Sequence, residues 1–235
     1  MHTEPQAVLF DMDGTLVDTE RLWRRAVEEE SRDLGLTFTE ADLPHVVGRA
    51  IEDTAAHLAA RASGRAEPSR LAASLERRFT HLVRGDVVPL PGAEALLAAL
   101  GAAGIPLALV SASPRPVVDT VLTTLGRHRF TTTVAAGETP RTKPFPDPYR
   151  AALTALGATP TACVAVEDSP TGIASAEAAR CVVLAVPSVT AVRPAPYRTV
   201  VHSLLDVDLA LLRRLAARGR ESRTPRPVGD RTGGR

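Results

Sequence analysis

Short apolar runs alternate with amphipathic stretches along most of this 235-residue chain. The runs are "QAVLF" (6–10), "IPLALVSAS" (105–113), "TTTVAAG" (131–137), "ACVAVEDS" (162–169) and "CVVLAVP" (181–187). They are short and continuously apolar, and they read as strands buried on both faces. Between them apolar residues recur at helical spacing. Helix-like 93–103 precedes the second run, and 115–125 clusters Val117, Val118, Val121, Leu122 and Leu125. Tyr149, Ala152, Leu153 and Leu156 mark another helix, 170–180 the next, and Leu205, Leu209, Leu212 and Leu215 the last. This alternation predicts an α/β fold with a parallel sheet covered by helices on both faces.

One block breaks the rhythm. From 18 to 87 only helical patterns occur. Thr19 is placed to cap a helix carrying Leu22, Trp23, Ala26 and Val27, with Gly35 as its stop. Asp18 and Glu20 beside it read as ordinary helix-start acids. A helical stretch covers 51–62, and Leu71, Leu75, Phe79 and Leu82 share a further face. "VVPLPG" (87–92) then reads as a linker or hinge. The expected organisation is a core of 1–17 and 88–217 with an inserted all-helical cap domain, 18–87. Residues 218–235, rich in Arg, Pro and Gly, read as a disordered tail.

Composition refines this little. Hydrophobic residues make up 44%, as in ordinary globular proteins, but aromatics only 3%, so packing must rest on Ala, Leu and Val. The net charge of +1 hides an uneven spread, because Arg213–Arg235 alone carry about +6. The remainder is mildly acidic, which argues against a nucleic-acid partner. The basic end reads as a solvated tail, with contact to nucleic acid or anionic lipid as the rival reading. Cys163 and Cys181 show no metal-ligand spacing and read as buried thiols. "MHTEPQ" lacks the basic–apolar order of a signal peptide, and no run reaches the length of a membrane span. The expectation is a cytoplasmic protein without a membrane partner, most simply a monomer.

Ligands of open parallel sheets bind beyond the carboxyl ends of the strands. The first predicted strand ends in Asp11-Met12-Asp13, followed by Gly14 and Thr15. The second ends in Ser111-Ala112-Ser113 and the fourth in Glu167-Asp168-Ser169. Lys143, the sole lysine, follows the third by a short loop. Acids at the end of a buried strand are costly unless a metal ion, a cation or a turn takes them. Side by side, these strands would collect too many acids for a bare site. Mg²⁺ would balance them, since it prefers carboxylate, carbonyl and water oxygens. The serines and the lysine suit an anionic group such as phosphate. The rival reading makes Asp11 and Asp13 turn formers, Ser111 a strand-end hydroxyl and Lys143 a surface lysine.

Four motifs in order carry a resemblance: "DMDGT" (11–15), Ser111, "TKPFPDPY" (142–149) and "VEDSPTGIASAEAA" (166–179). Over about residues 5–215 the chain resembles the phosphotransferases of the haloacid dehalogenase superfamily. Within them it is most similar to the β-phosphoglucomutase-like sugar phosphatases with a helical cap. The resemblance implies a Rossmann-like, doubly wound core. It implies Asp11 as a nucleophile that becomes an aspartyl-phosphate, and Asp13 as general acid and base. Mg²⁺ would be held by an Asp11 oxygen, the Asp13 backbone carbonyl and Asp168, with Glu167 assisting. Ser111 and Ala112 would bind the transferring phosphoryl group, Lys143 would supply fixed positive charge, and Gly14 would permit a tight turn beside the phosphate. Dehalogenases of the superfamily lack an acid at the position of Asp13, so its presence argues for phosphate ester chemistry.

The stretch "VVGRAIEDT" (46–54) matches the cap's specificity loop. Gly48 fits the family, and Arg49 is expected to contact a sugar hydroxyl or a second phosphate, with a solvated arginine as its rival reading. Arg77 is a further cap candidate, and Asp147 either orients the Lys143 loop or caps a helix. One departure stands out. A mutase of this subgroup carries Lys-Asn after its Ser-Ala-Ser, where this chain has Pro114 and Arg115. Arg115 could replace the missing amine in part. The expected function is a Mg²⁺-dependent phosphomonoester hydrolase acting on a small phosphorylated metabolite, a sugar or polyol phosphate. A hexose-phosphate mutase is the alternative.

Overall fold

The computed structural model describes residues 4–47, 49–63, 66–188 and 190–221. Its strands are β1 Ala7–Phe10, β2 Leu107–Val110, β3 Thr132–Val134, β4 Cys163–Glu167, β5 Val182–Ala185 and β6 Arg198–Val200. Its helices are α1 Glu20–Asp33, α2 Ile51–Arg61, α3 Pro68–Gly85, α4 Ala93–Ala102, α5 Arg115–Leu125, α6 Asp147–Leu156, α7 Pro170–Ala178 and α8 Leu209–Glu221. The strands form one parallel sheet in the order β3-β2-β1-β4-β5-β6. Side chains alternate across it. Val8, Phe10, Leu107, Leu109, Val164 and Val166 face α4, α5 and α8. Ala7, Leu9, Ala108, Val110, Ala165 and Val183 face α6 and α7. The expected two-faced α/β sheet is therefore present. Its sixth strand was not expected, because "RTV" lies half-buried at the sheet edge and has no continuous apolar run.

Between β1 and α4 the regular structure is helical. Trp23 of α1 meets Phe79 of α3 edge-on with ring centroids 5.4 Å apart, and Leu58, Leu71, Leu75 and Val83 complete that packing. Val83 rather than Leu82 closes the buried face of α3. The two connections to this block run side by side. Asp18 N–H donates to Val88 O and Leu90 N–H to Leu16 O, both at 2.9 Å, so "VVPLPG" is a paired crossing.

Two further expectations change. Leu205 belongs to a 3-10 turn, Leu204–Asp206, and is 71% exposed, while Leu204 is buried in its place. Helix α8 runs on to Glu221, so the first four residues of the expected tail are helical. Gly219 is buried there, where a Cβ would strike Thr161 and Val182. Residues 222–235 lie outside the described residues. Both cysteines are free and buried. Among the described residues no helix is long and apolar enough to cross a membrane.

Candidate active site

β1 and β4 are neighbours at the centre of the sheet, and the chain winds away from them in opposite directions. A crevice opens at the carboxyl end of such a pair. Asp11 follows β1, and Asp168 follows β4, whose last residue is Glu167. The pairing of Phe10 with Val166 and the Asp11 N–H bond to Val166 O, 2.9 Å, hold these acids together. One carboxylate oxygen from each of Asp11, Glu167 and Asp168 lies within 4.8 Å of the others. Lys143 enters from the loop between β3 and α6. Its Nζ donates to Asp11 Oδ1 and Glu167 Oε1, each at 2.6 Å. The Tyr149 hydroxyl donates to the same Glu167 oxygen at 2.7 Å. Ser188 Oγ donates to Asp168 Oδ2. Gly14 has φ +79°, and a Cβ there would collide with the Asp168 carboxylate.

The charges do not balance. Burial and the neighbouring Asp11 and Glu167 raise the Asp168 carboxyl above the ordinary range. Burial also raises Glu167, although Lys143 pulls it back. Burial alone would lower Lys143, but Asp11 and Glu167 outweigh it and keep the ammonium protonated. Asp11 Oδ2 is buried and has no hydrogen-bond partner among the described residues. An orphaned carboxylate oxygen beside a second, raised carboxylate fits a hard divalent cation. Glu167 has Oε1 taken by Lys143 and Tyr149, so Asp11 and Asp168 are the more available ligands.

Asp13 is ringed by hydroxyls. Thr19 Oγ1 donates to its Oδ1 at 2.5 Å, and Ser111 and Ser113 donate to Oδ2 at 3.1 and 2.8 Å. Burial first, then the charge of Asp11, raises its carboxyl, and the hydroxyls partly offset this. Three observations bear on the expected roles, and the first is a correction. Thr19 stands at the helix N-cap position but makes no capping bond, because its hydroxyl is spent on Asp13. Ser111 turns its hydroxyl to Asp13 and accepts from Ser113 N–H. Ser113, Thr19, Tyr149 and Ser188 join the site without having been singled out. Only Ser113 and Tyr149 carried a signal, as the end of a predicted strand and the tyrosine of the lysine motif.

A cavity of about 450 Å³ lies over these groups. Asp11, Asp13, Ala112, Ser113, Lys143 and Asp168 line its sheet side, and Glu20, Trp23, Arg49, Ile51, Glu52 and Phe79 its helical side. Gly14, Ser111 and Glu167 sit behind the wall. Arg49 is exposed and donates to Pro44 O at 3.1 Å. Gly48 lies outside the described residues. Arg77 is exposed and is not part of the lining. Arg115 cannot stand in for a phosphate-binding amine. Its guanidinium is forked onto Glu138 at 2.7 and 2.6 Å and donates to Thr133 Oγ1 at 2.9 Å. Asp147 opens α6 and pairs with Arg141, at 2.9 Å. Asp18 does pair locally with Arg21, at 3.4 Å. Glu20 is more than a helix-start acid, since it faces the cavity. Burial and the charges of Asp13, Asp11 and Asp18 push its carboxyl up to about 7.

A family model described as haloacid dehalogenase-like hydrolase matches residues 5–180. Hexitol phosphatase B of Escherichia coli is 33% identical over 90% of this chain and 95% of its own length. Hexitol phosphatase A of the same organism is 36% identical over 76% of this chain and 81% of its own. The crystal structure of CbbY from Rhodobacter sphaeroides in complex with phosphate superimposes with a TM-score of 0.74 at 27% identity. It covers 86% of this chain and 95% of that one. The chain therefore belongs to the haloacid dehalogenase-like hydrolase family.

Proposed function

We propose that the chain is a Mg²⁺-dependent phosphomonoester hydrolase acting on a small sugar or polyol phosphate through an aspartyl-phosphate. The observation that carries this is the state of Asp11. One carboxylate oxygen is pinned by Lys143, and the other is buried without a partner among the described residues, in a side chain that lines the cavity, with Asp13 two residues on. A carboxylate so held is oriented for attack on phosphorus. Asp13, raised by burial and by Asp11 and positioned by three hydroxyls, gives a proton to the leaving alkoxide and takes one from the water that cleaves the aspartyl-phosphate. Lys143 holds positive charge beside the transferring group. Asp11, Asp168 and the Asp13 backbone carbonyl would hold Mg²⁺, with Glu167 behind them. That ion would supply neutralisation between carboxylate and phosphate dianion.

Helices α1–α3 act as the cap that closes the cavity over the substrate. The names of the relatives, two of them hexitol phosphatases, support a polyol or sugar phosphate. Arg115 is fully engaged away from the cavity, so nothing favours the mutase over hydrolysis. The test is phosphate release from hexitol, sugar and nucleoside monophosphates, with Mg²⁺ and with chelator, and with Asp11→Asn as control. Metal-dependent release by the wild type alone is expected. Glucose 6-phosphate forming from β-glucose 1-phosphate faster than free phosphate overturns the proposal.

A further inference from the structure

Glu20 is the anomaly of the cavity. Its carboxylate is half-buried, faces both the cavity over Asp11 and its neighbour beside Ser188, and makes no hydrogen bond or ion pair among the described residues. The charges of Asp13, Asp11 and Asp18 act against an ionised Glu20 and raise its carboxyl. Withdrawing a carboxylate from water among like charges is unfavourable. Its place in the first turn of α1 favours an acid, but its carboxylate makes no capping bond there and no bond to a neighbour among the described residues. Stability lost without structural gain is what a ligand-binding group leaves behind.

The helical side of the cavity narrows what that ligand is. It presents two carboxylates, Glu20 and Glu52, against one cation, Arg49. Lys143 is committed to Asp11 and Glu167. A second phosphate or a carboxylate on the leaving group would meet net negative charge. A chain of hydroxyls would meet acceptors on Glu20, a donor on Arg49, and apolar surface on Trp23, Ile51 and Phe79.

We propose that Glu20 determines specificity by accepting hydrogen bonds from the hydroxyls of an uncharged polyol or sugar leaving group, and that it disfavours leaving groups carrying a second anion. The proposal rests on the phosphatase reading above. It assigns the substrate class as a monophosphate whose far end is neutral and hydroxylated.

The test compares a hexitol monophosphate with the matching hexitol 1,6-bisphosphate on wild type, Glu20→Gln and Glu20→Leu. In wild type the monophosphate is preferred. In Glu20→Leu the ratio of kcat/KM, monophosphate over bisphosphate, falls at least about tenfold, carried by a rise in the monophosphate KM. Glu20→Gln keeps its size and a hydroxyl acceptor but not the charge. It loses discrimination against the bisphosphate and keeps more monophosphate activity than Glu20→Leu. Both variants, without substrate, unfold at a higher temperature than wild type, which also shows that they fold. A ratio unchanged in both variants, or a loss confined to kcat, overturns the assignment of Glu20 alone. A wild type that releases phosphate from neither compound, nor from any member of the monophosphate panel, overturns the phosphatase reading and this assignment with it.

Discussion

Lys143→Met removes the ammonium from the site and nearly preserves length and volume. In the wild type that ammonium makes two hydrogen bonds of 2.6 Å, to Asp11 and Glu167, in a site where the lysine, Asp11, Glu167 and Asp168 are all buried. Taking one partner from a buried ion pair leaves the other charge uncompensated and costs about 3–5 kcal/mol. In a chain of this size each kcal/mol moves Tm by roughly 2–4 °C, so the metal-free variant should melt about 6–20 °C below wild type. The deficit depends on pH, and its sign follows from the carboxyls. Glu167 and Asp168 already have folded values above their unfolded ones, and losing Lys143 raises them further. Stability from a raised carboxyl is in place below the unfolded value and is lost as pH rises through the folded one. The variant's deficit in chelator should thus be larger at about pH 8 than at about pH 6, and excess Mg²⁺ should shrink it. Thermal unfolding of both proteins at the two pH values, with chelator and with Mg²⁺, measures this. A deficit below about 1 kcal/mol, or one indifferent to pH, would refute the picture of Lys143 as the counterion of a carboxylate cluster. Phosphate release should fall by about 10²–10³ in the same variant, the usual cost of losing one fixed donor to the transition state.

Thr19→Val deletes the short bond to Asp13 Oδ1. kcat should fall roughly tenfold, short of the ~10²–10⁴ for losing the acid itself, and the alkaline limb of the rate profile should move to higher pH, because a stabiliser of the ionised form is gone. An unmoved limb would show that Thr19 does not tune Asp13. In the helical block, burial alone would raise Asp42, but His57, Thr39 and Arg61 outweigh it and hold the carboxyl down to about 2. That stability is present above the unfolded value and lost as pH falls through the folded one. Asp42→Asn should therefore cost about 2 kcal/mol at neutral pH, and the gap to wild type should close between about pH 4 and about pH 2. Denaturant unfolding across that range reads the gap, and a constant one would show that the charge of Asp42 is not what holds the block.

The sequence by itself determined the elements with a continuous apolar run or a full helical stripe, and with them the parallel α/β core around β1, β2, β4 and β5. Such residues have one favourable place, between two layers, whatever else the chain does. It also brought Asp11, Asp13, Ser111 and Asp168 to one rim, because they follow the ends of β1, β2 and β4, while Lys143 reaches that rim from the loop after β3. β6 was illegible, since an edge strand of three half-buried residues owes its pairing to β5 and not to its own pattern. Thr19 and Glu20 looked like a cap and a helix-start acid because local sequence cannot reveal a partner across a cleft. Only the tertiary structure decided that the Thr19 hydroxyl turns to Asp13, that Arg115 is held by Glu138, and that Glu20 faces a cavity. Burial and local periodicity are properties of a segment. The choice of a hydrogen-bond partner depends on distances between segments far apart in the chain, and those exist only once the helical block has packed over the sheet.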